Sequence, residues 1–202
     1  MKYVIGVTGN IGSGKSTVLR MLEQLGAKVI DADALVHEVM RKGSPVWQAI
    51  VDSFSQDILT GQGEIDRKKL GSLVFNDHEA LRRLEKIVHP AADERFREII
   101  QYSEGSVIAV EAIKIIESGI YAELDALWLV TCPSEERLQR LLKTRDVNEE
   151  DVKRRLRAQM PPEKQAELAD VVIDNGGTLQ QTWEQVKREW GRIWEGEKGS
   201  EK

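Results

Sequence analysis

The segment Gly9-Asn10-Ile11-Gly12-Ser13-Gly14-Lys15-Ser16 constrains the fold of this chain more than any other. It has the spacing of a phosphate-binding loop: a glycine, four residues, then glycine, lysine and serine or threonine, with Thr17 following. The run Tyr3 to Thr8 before it is apolar and reads as a strand, while Val18 to Leu25 after it has helical periodicity. Glycines let successive backbone N–H groups turn inward, and with the N-terminus of the next helix they form a cradle for phosphate oxygens. Lys15 is placed to reach β- and γ-phosphates, and the Ser16 hydroxyl to ligate Mg²⁺. Asn10, Ile11 and Ser13 are expected to contribute backbone only.

Four more β-rich runs follow: Lys28 to Asp31, Val107 to Glu111, Ala126 to Thr131 and Val171 to Ile173. Alternation of such runs with helical patterns predicts an α/β fold with a five-stranded parallel sheet buried on both faces. Residues 34–103 carry helical periodicity and no strand, so they read as an insertion. Ser44 before Pro45 is a helix start, Asp66 caps 67–75, and Asn76 or Asp77 opens a helix that Pro90 should kink or divide. Ser134 is expected to cap a helix that breaks near Asp146 to Asn148, and Pro161-Pro162 to end the next. Thr178 opens a last amphipathic helix, whose Trp183, Val186, Trp190, Ile193 and Trp194 form a core stripe; the tail from Glu195 reads as polar and frayed.

Charge bounds the partners. The 202 residues carry a formal net charge of −5, with 31% charged and 41% hydrophobic residues, the balance of a folded soluble protein with no global field for a nucleic acid backbone. Anion binding must be local. One cysteine, Cys132, excludes an internal disulfide, and no apolar run is long enough to span a membrane. A cytoplasmic protein acting on small molecules, by default a monomer, is the expectation.

Asp31-Ala32-Asp33 stands at the carboxyl end of the second run, the edge where open α/β sheets bind ligands. If the segment is extended, both carboxylates point the same way. Asp33 is the candidate catalytic base and Asp31 its support, although aspartate in this place also caps helices. Glu111 and Glu117 flank the end of the third run with Lys114 between them, and a solvated ion pair accounts for them as well as a site does. Arg137, Arg140 and Arg145 can share one helical face and belong, in a phosphotransferase, to a lid; Lys153, Arg154, Arg155 and Arg157 fit a solvated face.

Together these pieces resemble the dephospho-CoA kinases. The likeness is carried by Gly9 to Thr17, Val29 to Asp33, Gly63-Glu64-Ile65-Asp66-Arg67 with Leu70, Val74-Phe75 and Leu84 leading to His89-Pro90, then Arg137, Arg140, Arg145, Gln159, Lys164 and Ala169 to Asn175. The resemblance implies a P-loop core of the nucleoside-monophosphate-kinase type, residues 1–33 and 104–195. It adds a lid at about 137–160, a helical acceptor-binding insertion over 34–103 and a polar tail at 196–202. It implies transfer of the γ-phosphoryl of ATP, with Mg²⁺, to the ribose 3′-hydroxyl of dephospho-CoA. On that likeness Asp33, Lys15 and Arg140 are catalytic. Gly12, Ser13, Gly14, Lys15, Ser16, Thr17, Arg145 and Asn175 hold the nucleotide, Asn175 at the adenine, and Ser16 the metal. Asp31, Arg67, His89 and Glu111 meet the acceptor.

Two departures stand out. Glu111-Ala112-Ile113-Lys114-Ile115-Ile116-Glu117 carries a lysine where the family has an apolar residue, and Asn10 replaces a frequent glycine, its side chain expected to point outward. Another P-loop small-molecule or nucleotide kinase is the nearest alternative. A GTPase switch lacks support, since no Asn-Lys-x-Asp segment occurs.

Overall fold

The computed structural model describes residues 2–75, 77–111, 124–144, 150 and 159–199. Its strands are β1 (Tyr3–Thr8), β2 (Lys28–Asp31), β3 (Val107–Glu111), β4 (Ala126–Thr131) and β5 (Val171–Asp174), in the order β2-β3-β1-β4-β5 within one parallel sheet. Each coincides with an apolar run of the sequence, β5 extending one residue further to Asp174. The chain steps from β3 on one side of β1 to β4 on the other, which puts the topological switch point at β1 and opens a crevice beyond its carboxyl end.

Two compact units divide the chain, the described residues of Asp31–Ser103 forming one, and Met1–Ile30 with the described chain from Glu104 onward the other. In the sheet unit, α1 (Lys15–Gln24) and α8 (Leu179–Gly199) cover the strands. Ile5, Val7, Val18, Leu22, Ala109, Trp128, Val130, Ile173, Val186 and Ile193 form its core, with Trp190 and Trp194 packed on the margin. Continuous burial along β1, β3 and β4 is what a parallel strand covered on both faces requires. Thr178 caps α8 as expected: its hydroxyl accepts from Gln181 N at 3.2 Å, and Gln181 Oε1 accepts from Thr178 N at 2.8 Å. The helix then runs on to Gly199, so the segment after Glu195 is helical, not a frayed tail.

The helical unit contains α2 (Ala32–Val39), α3 (Pro45–Phe54), a 3₁₀ turn (Gln56–Ile58), α4 (Arg67–Phe75) and α5 (His78–Tyr102). No strand enters it among the described residues beyond an isolated bridge between Leu59 and Ile65. Ser44 accepts from Trp47 N, Asp66 from Lys68 N and Lys69 N, and Asp77 from Glu79 N and Ala80 N. Each such cap stabilises its helix by about 1 kcal/mol. Val46, Ile50, Ile58, Leu70 and Val88 make a separate core.

Three expectations need correction. Pro90 does not divide α5, which is continuous over 25 residues. The proline forfeits one backbone bond, but Val88, Ala92 and Phe96 are buried on either side of it and hold the helix together by packing. Ser134 does not cap α6 (Ser134–Thr144): Arg137 N reaches the Pro133 carbonyl, so Ser134 sits inside the first turn and its hydroxyl accepts from the Arg137 guanidinium instead. Pro161-Pro162 does not simply end a helix. Pro161 caps a further short one, α7 (Pro162–Ala166), with Pro162 at the first position, where its missing N–H costs nothing. The break near Asp146 to Asn148 lies outside the described residues, as do Lys114, Glu117, Arg145, Lys153, Arg154, Arg155 and Arg157.

Candidate active site

Beyond the carboxyl end of β1 the chain turns through Gly9 (φ 146°), Gly12 (φ 80°) and Gly14 (φ 97°), conformations that side chains disfavour. Space matters as much as φ here. A Cβ on Gly14 would collide with the Asn175 amide, and one on Gly9 with the Val130 carbonyl. Gly14 caps α1 without any side-chain hydrogen bond, and no acidic residue occupies the first turn, so the positive end of the helix is left for an anion. Ser13 Oγ is buried with no partner among the described residues, a further polar atom left to the cradle.

Lys15 is 6% exposed, and its ammonium donates to the Gly9 carbonyl at 2.9 Å. Held across the loop in this way, the charge is stored against a carbonyl dipole that phosphate oxygens outcompete. Ser16 is exposed at the first turn of α1. Mg²⁺ keeps several waters and takes few protein ligands when phosphates supply the rest, so a single exposed hydroxyl beside the cradle fits it. Among the described residues no group of three His, Cys, Asp or Glu side chains could form a protein cage for a metal.

Asn175, from the turn after β5, is tied on every side. Its Nδ2 donates to the Ser13 carbonyl at 2.8 Å, its Oδ1 accepts from Thr182 Oγ1 at 3.0 Å, and its N donates to the Thr131 carbonyl. Its own carbonyl accepts from Arg140 Nη2 at 2.9 Å. The side chain expected at the adenine therefore ties the loop to α8, while the backbone of the same residue is held by β4 and α6. Arg140 also pairs with Glu136 at 3.3 Å, and its Nη1 lies 3.7 Å from the point a Gly14 Cβ would occupy, which puts the guanidinium beside the loop. Cys132, at the end of β4, donates to Glu136; burial pushes its thiol above its ordinary pKa and keeps it protonated.

The expectation that Asn10 points outward is wrong. It is 5% exposed and its Oδ1 accepts from Gln165 Nε2 at 3.0 Å, while Ile11 N donates to Gln159 Oε1 at 3.0 Å. Glu111 ends β3 half-buried, in register with Val7 of β1.

Within the helical unit, Asp31 and Asp33 do not share an extended segment. Asp31 caps α2 by accepting from Ala34 N at 3.0 Å, and Asp33 lies in the first turn, exposed. The capping role thus falls to Asp31 and leaves the Asp33 carboxylate to solvent. From the next residue begins a cleft of about 340 Å³ lined by Ala34, His37, Glu38, Arg41, Glu64 and Arg67, with Met40 and Ile65. Ala34, His37 and Glu38 lie at i, i+3 and i+4 on α2, so one side of that helix forms a wall, and Arg41 follows just past its C-terminal end. Glu38 is neutralised by Arg95 at 3.0 Å, whereas Arg41 and Arg67 have no carboxylate partner among the described residues. His89 is exposed on α5 and does not line this cleft.

Sequence reasoning missed Gln159 and Gln165 as contacts of the loop, since 148 and 155 residues separate them from their partners and no local spacing reports such a pair. Glu136 was legible: it stands four residues before Arg140, the spacing of a helical ion pair.

Among known proteins, the family model described as CoaE, dephospho-CoA kinase, matches residues 3–181. Dephospho-CoA kinase of Aquifex aeolicus is 46% identical over 185 residues, covering 91% of this chain and 94% of that protein. Of solved structures, TT1252 from Thermus thermophilus superposes with a TM-score of 0.83 at 33% identity, covering 95% of this chain and 97% of that one. Dephospho-CoA kinase from Campylobacter jejuni gives 0.70 at 30% identity, covering 98% and 100%.

Proposed function

The chain belongs to the dephospho-CoA kinase family, and we propose that its own residues carry the γ-phosphoryl of ATP to the ribose 3′-hydroxyl of dephospho-CoA. The activity is the ATP-dependent phosphorylation of dephospho-CoA to coenzyme A. The observation that supports this division of labour best is the loop itself: a helix end with no side-chain cap, three left-handed glycines and a buried lysine parked on a carbonyl.

The acceptor oxygen attacks the γ-phosphorus, the bond from that phosphorus to the β–γ bridging oxygen breaks, and ADP leaves with the electron pair. Asp33 orients the ribose hydroxyl and takes its proton, which then passes to solvent. Lys15 leaves the Gly9 carbonyl for the β- and γ-oxygens, and Arg140 adds a second positive group as charge moves onto the leaving ADP. Ser16 would hold Mg²⁺, whose chemistry when bound would be to neutralise phosphate charge. Gly12, Ser13, Gly14 and Thr17 hold the phosphates through the backbone. Arg145, which lies in the segment assigned to the lid, completes the nucleotide contacts, and the reaction is set in the cytoplasm.

The helical unit takes the acceptor. Arg41 and Arg67 have no carboxylate partner among the described residues and line a cleft that starts one residue past Asp33, which suits the diphosphate of dephospho-CoA. His89 and Glu111 stay as acceptor contacts on the family likeness alone. Arg67→Ala is expected to raise KM for dephospho-CoA by about tenfold, the worth of one charge-assisted hydrogen bond, with KM for ATP unmoved. Steady-state kinetics with each substrate varied in turn checks this, and an equal rise in both constants removes Arg67 from the acceptor site. Phosphorus NMR of the product tests the reaction itself: a new phosphomonoester on the ribose 3′-oxygen is expected, and a phosphate elsewhere contradicts it.

A further inference from the structure

We propose that Asn10, Gln165 and Gln159 form an amide brace that sets the position of the phosphate loop and thereby the affinity for nucleotide. The inference rests on the nucleotide-binding reading of that loop. Asn10 and Ile11 occupy the two positions after Gly9, between the carbonyl that Lys15 holds and the start of α1. Gln165 Nε2 fixes the Asn10 side chain at 3.0 Å, and Gln159 Oε1 fixes the Ile11 N–H at 3.0 Å. Opposite them Asn175 holds the Ser13 carbonyl, so carboxamides grip the loop at residues 10, 11 and 13.

The pairing has a feature that stability alone does not explain. Two carboxamides can exchange two hydrogen bonds, yet only one forms between Asn10 and Gln165, and Gln165 Oε1 is left buried without a donor among the described residues. Gln165 is 7% exposed and Asn10 5%, so neither can turn to water for compensation. Apolar residues of similar shape fill such a space with no unsatisfied atom. What the carboxamides supply is directional: a fixed place for the first bend of a loop whose remaining N–H groups must converge on phosphate. A cradle fixed in advance binds its anion without further ordering, whereas a loop free to shift must be ordered by the ligand. Gln159 adds a second constraint, because it consumes the Ile11 N–H and so prevents that donor from competing for phosphate in the wrong register.

The readout is the binding of a non-hydrolysable ATP analogue, titrated calorimetrically with Mg²⁺ and no acceptor, together with thermal unfolding of each variant. Gln165→Leu and Asn10→Ala are each expected to raise the Kd about tenfold. The double variant is expected to bind no more weakly than the weaker single one, because both remove the same contact. KM for dephospho-CoA should stay unchanged. Asn10→Ala only truncates a side chain and carries the test if Gln165→Leu fails to fold. An unaltered Kd in folded variants overturns the brace while leaving the loop's role intact, as do losses that multiply in the double variant. Failure of the unsubstituted protein to bind the analogue overturns both the brace and the nucleotide-binding reading beneath it.

Discussion

Lys15→Ala is expected to lower kcat/KM by about a thousandfold or more, because it removes the buried positive group of the phosphate loop. The ammonium sits 2.9 Å from the Gly9 carbonyl and is shielded from water, so its field on a bound phosphate is not screened away. Charge builds on the β–γ bridging oxygen as the phosphoryl leaves, and an interaction that strengthens there accelerates the step itself. Lys15→Met keeps the aliphatic stem and separates the charge from the packing. Steady-state kinetics should show both variants equally impaired, with melting temperatures close to that of the parent. Retention of activity within a few-fold by either removes the lysine from the transition state.

Asp33→Asn is expected to reduce kcat by roughly 10²- to 10⁴-fold, the usual span for loss of a general base. Binding of the ATP analogue should change little. The structure sharpens this expectation: Asp31 spends its carboxylate on the Ala34 N–H, whereas Asp33, two residues later, is exposed and has no such duty. Asp31→Asn should accordingly cost little, since asparagine caps helices as well as aspartate. Comparable loss of turnover and of analogue binding in Asp33→Asn marks a structural residue instead.

The contrast between those two aspartates shows how far local sequence reaches. Both were visible at the end of β2, but the argument that they point together assumed an extended backbone, and the chain had already entered α2 at Ala32. β1, β3 and β4 were legible because a parallel strand covered on both faces must be apolar along its length, while the edge strands β2 and β5 were legible as shorter apolar runs. The loop was legible because its glycines, lysine and serine are fixed by backbone geometry within eight residues. Caps at Ser44, Asp66, Asp77 and Thr178 were legible for the same local reason. Pro90 misled because packing around Val88, Ala92 and Phe96 outweighs one missing hydrogen bond. Asn10 misled for a different cause. Its partner comes from α7, and only tertiary structure could turn an apparently idle side chain inward. Asn175 stands between these cases: its place after β5 was clear, but its four hydrogen-bonded partners come from the loop, β4, α6 and α8.

The most direct measurement is ADP release in a coupled assay with ATP and Mg²⁺, comparing dephospho-CoA with AMP, CMP, adenosine and no acceptor. Rapid release is expected with dephospho-CoA, and rates near the acceptor-free background with the others. Equal release whatever the acceptor, or a preference for AMP or CMP, contradicts this expectation.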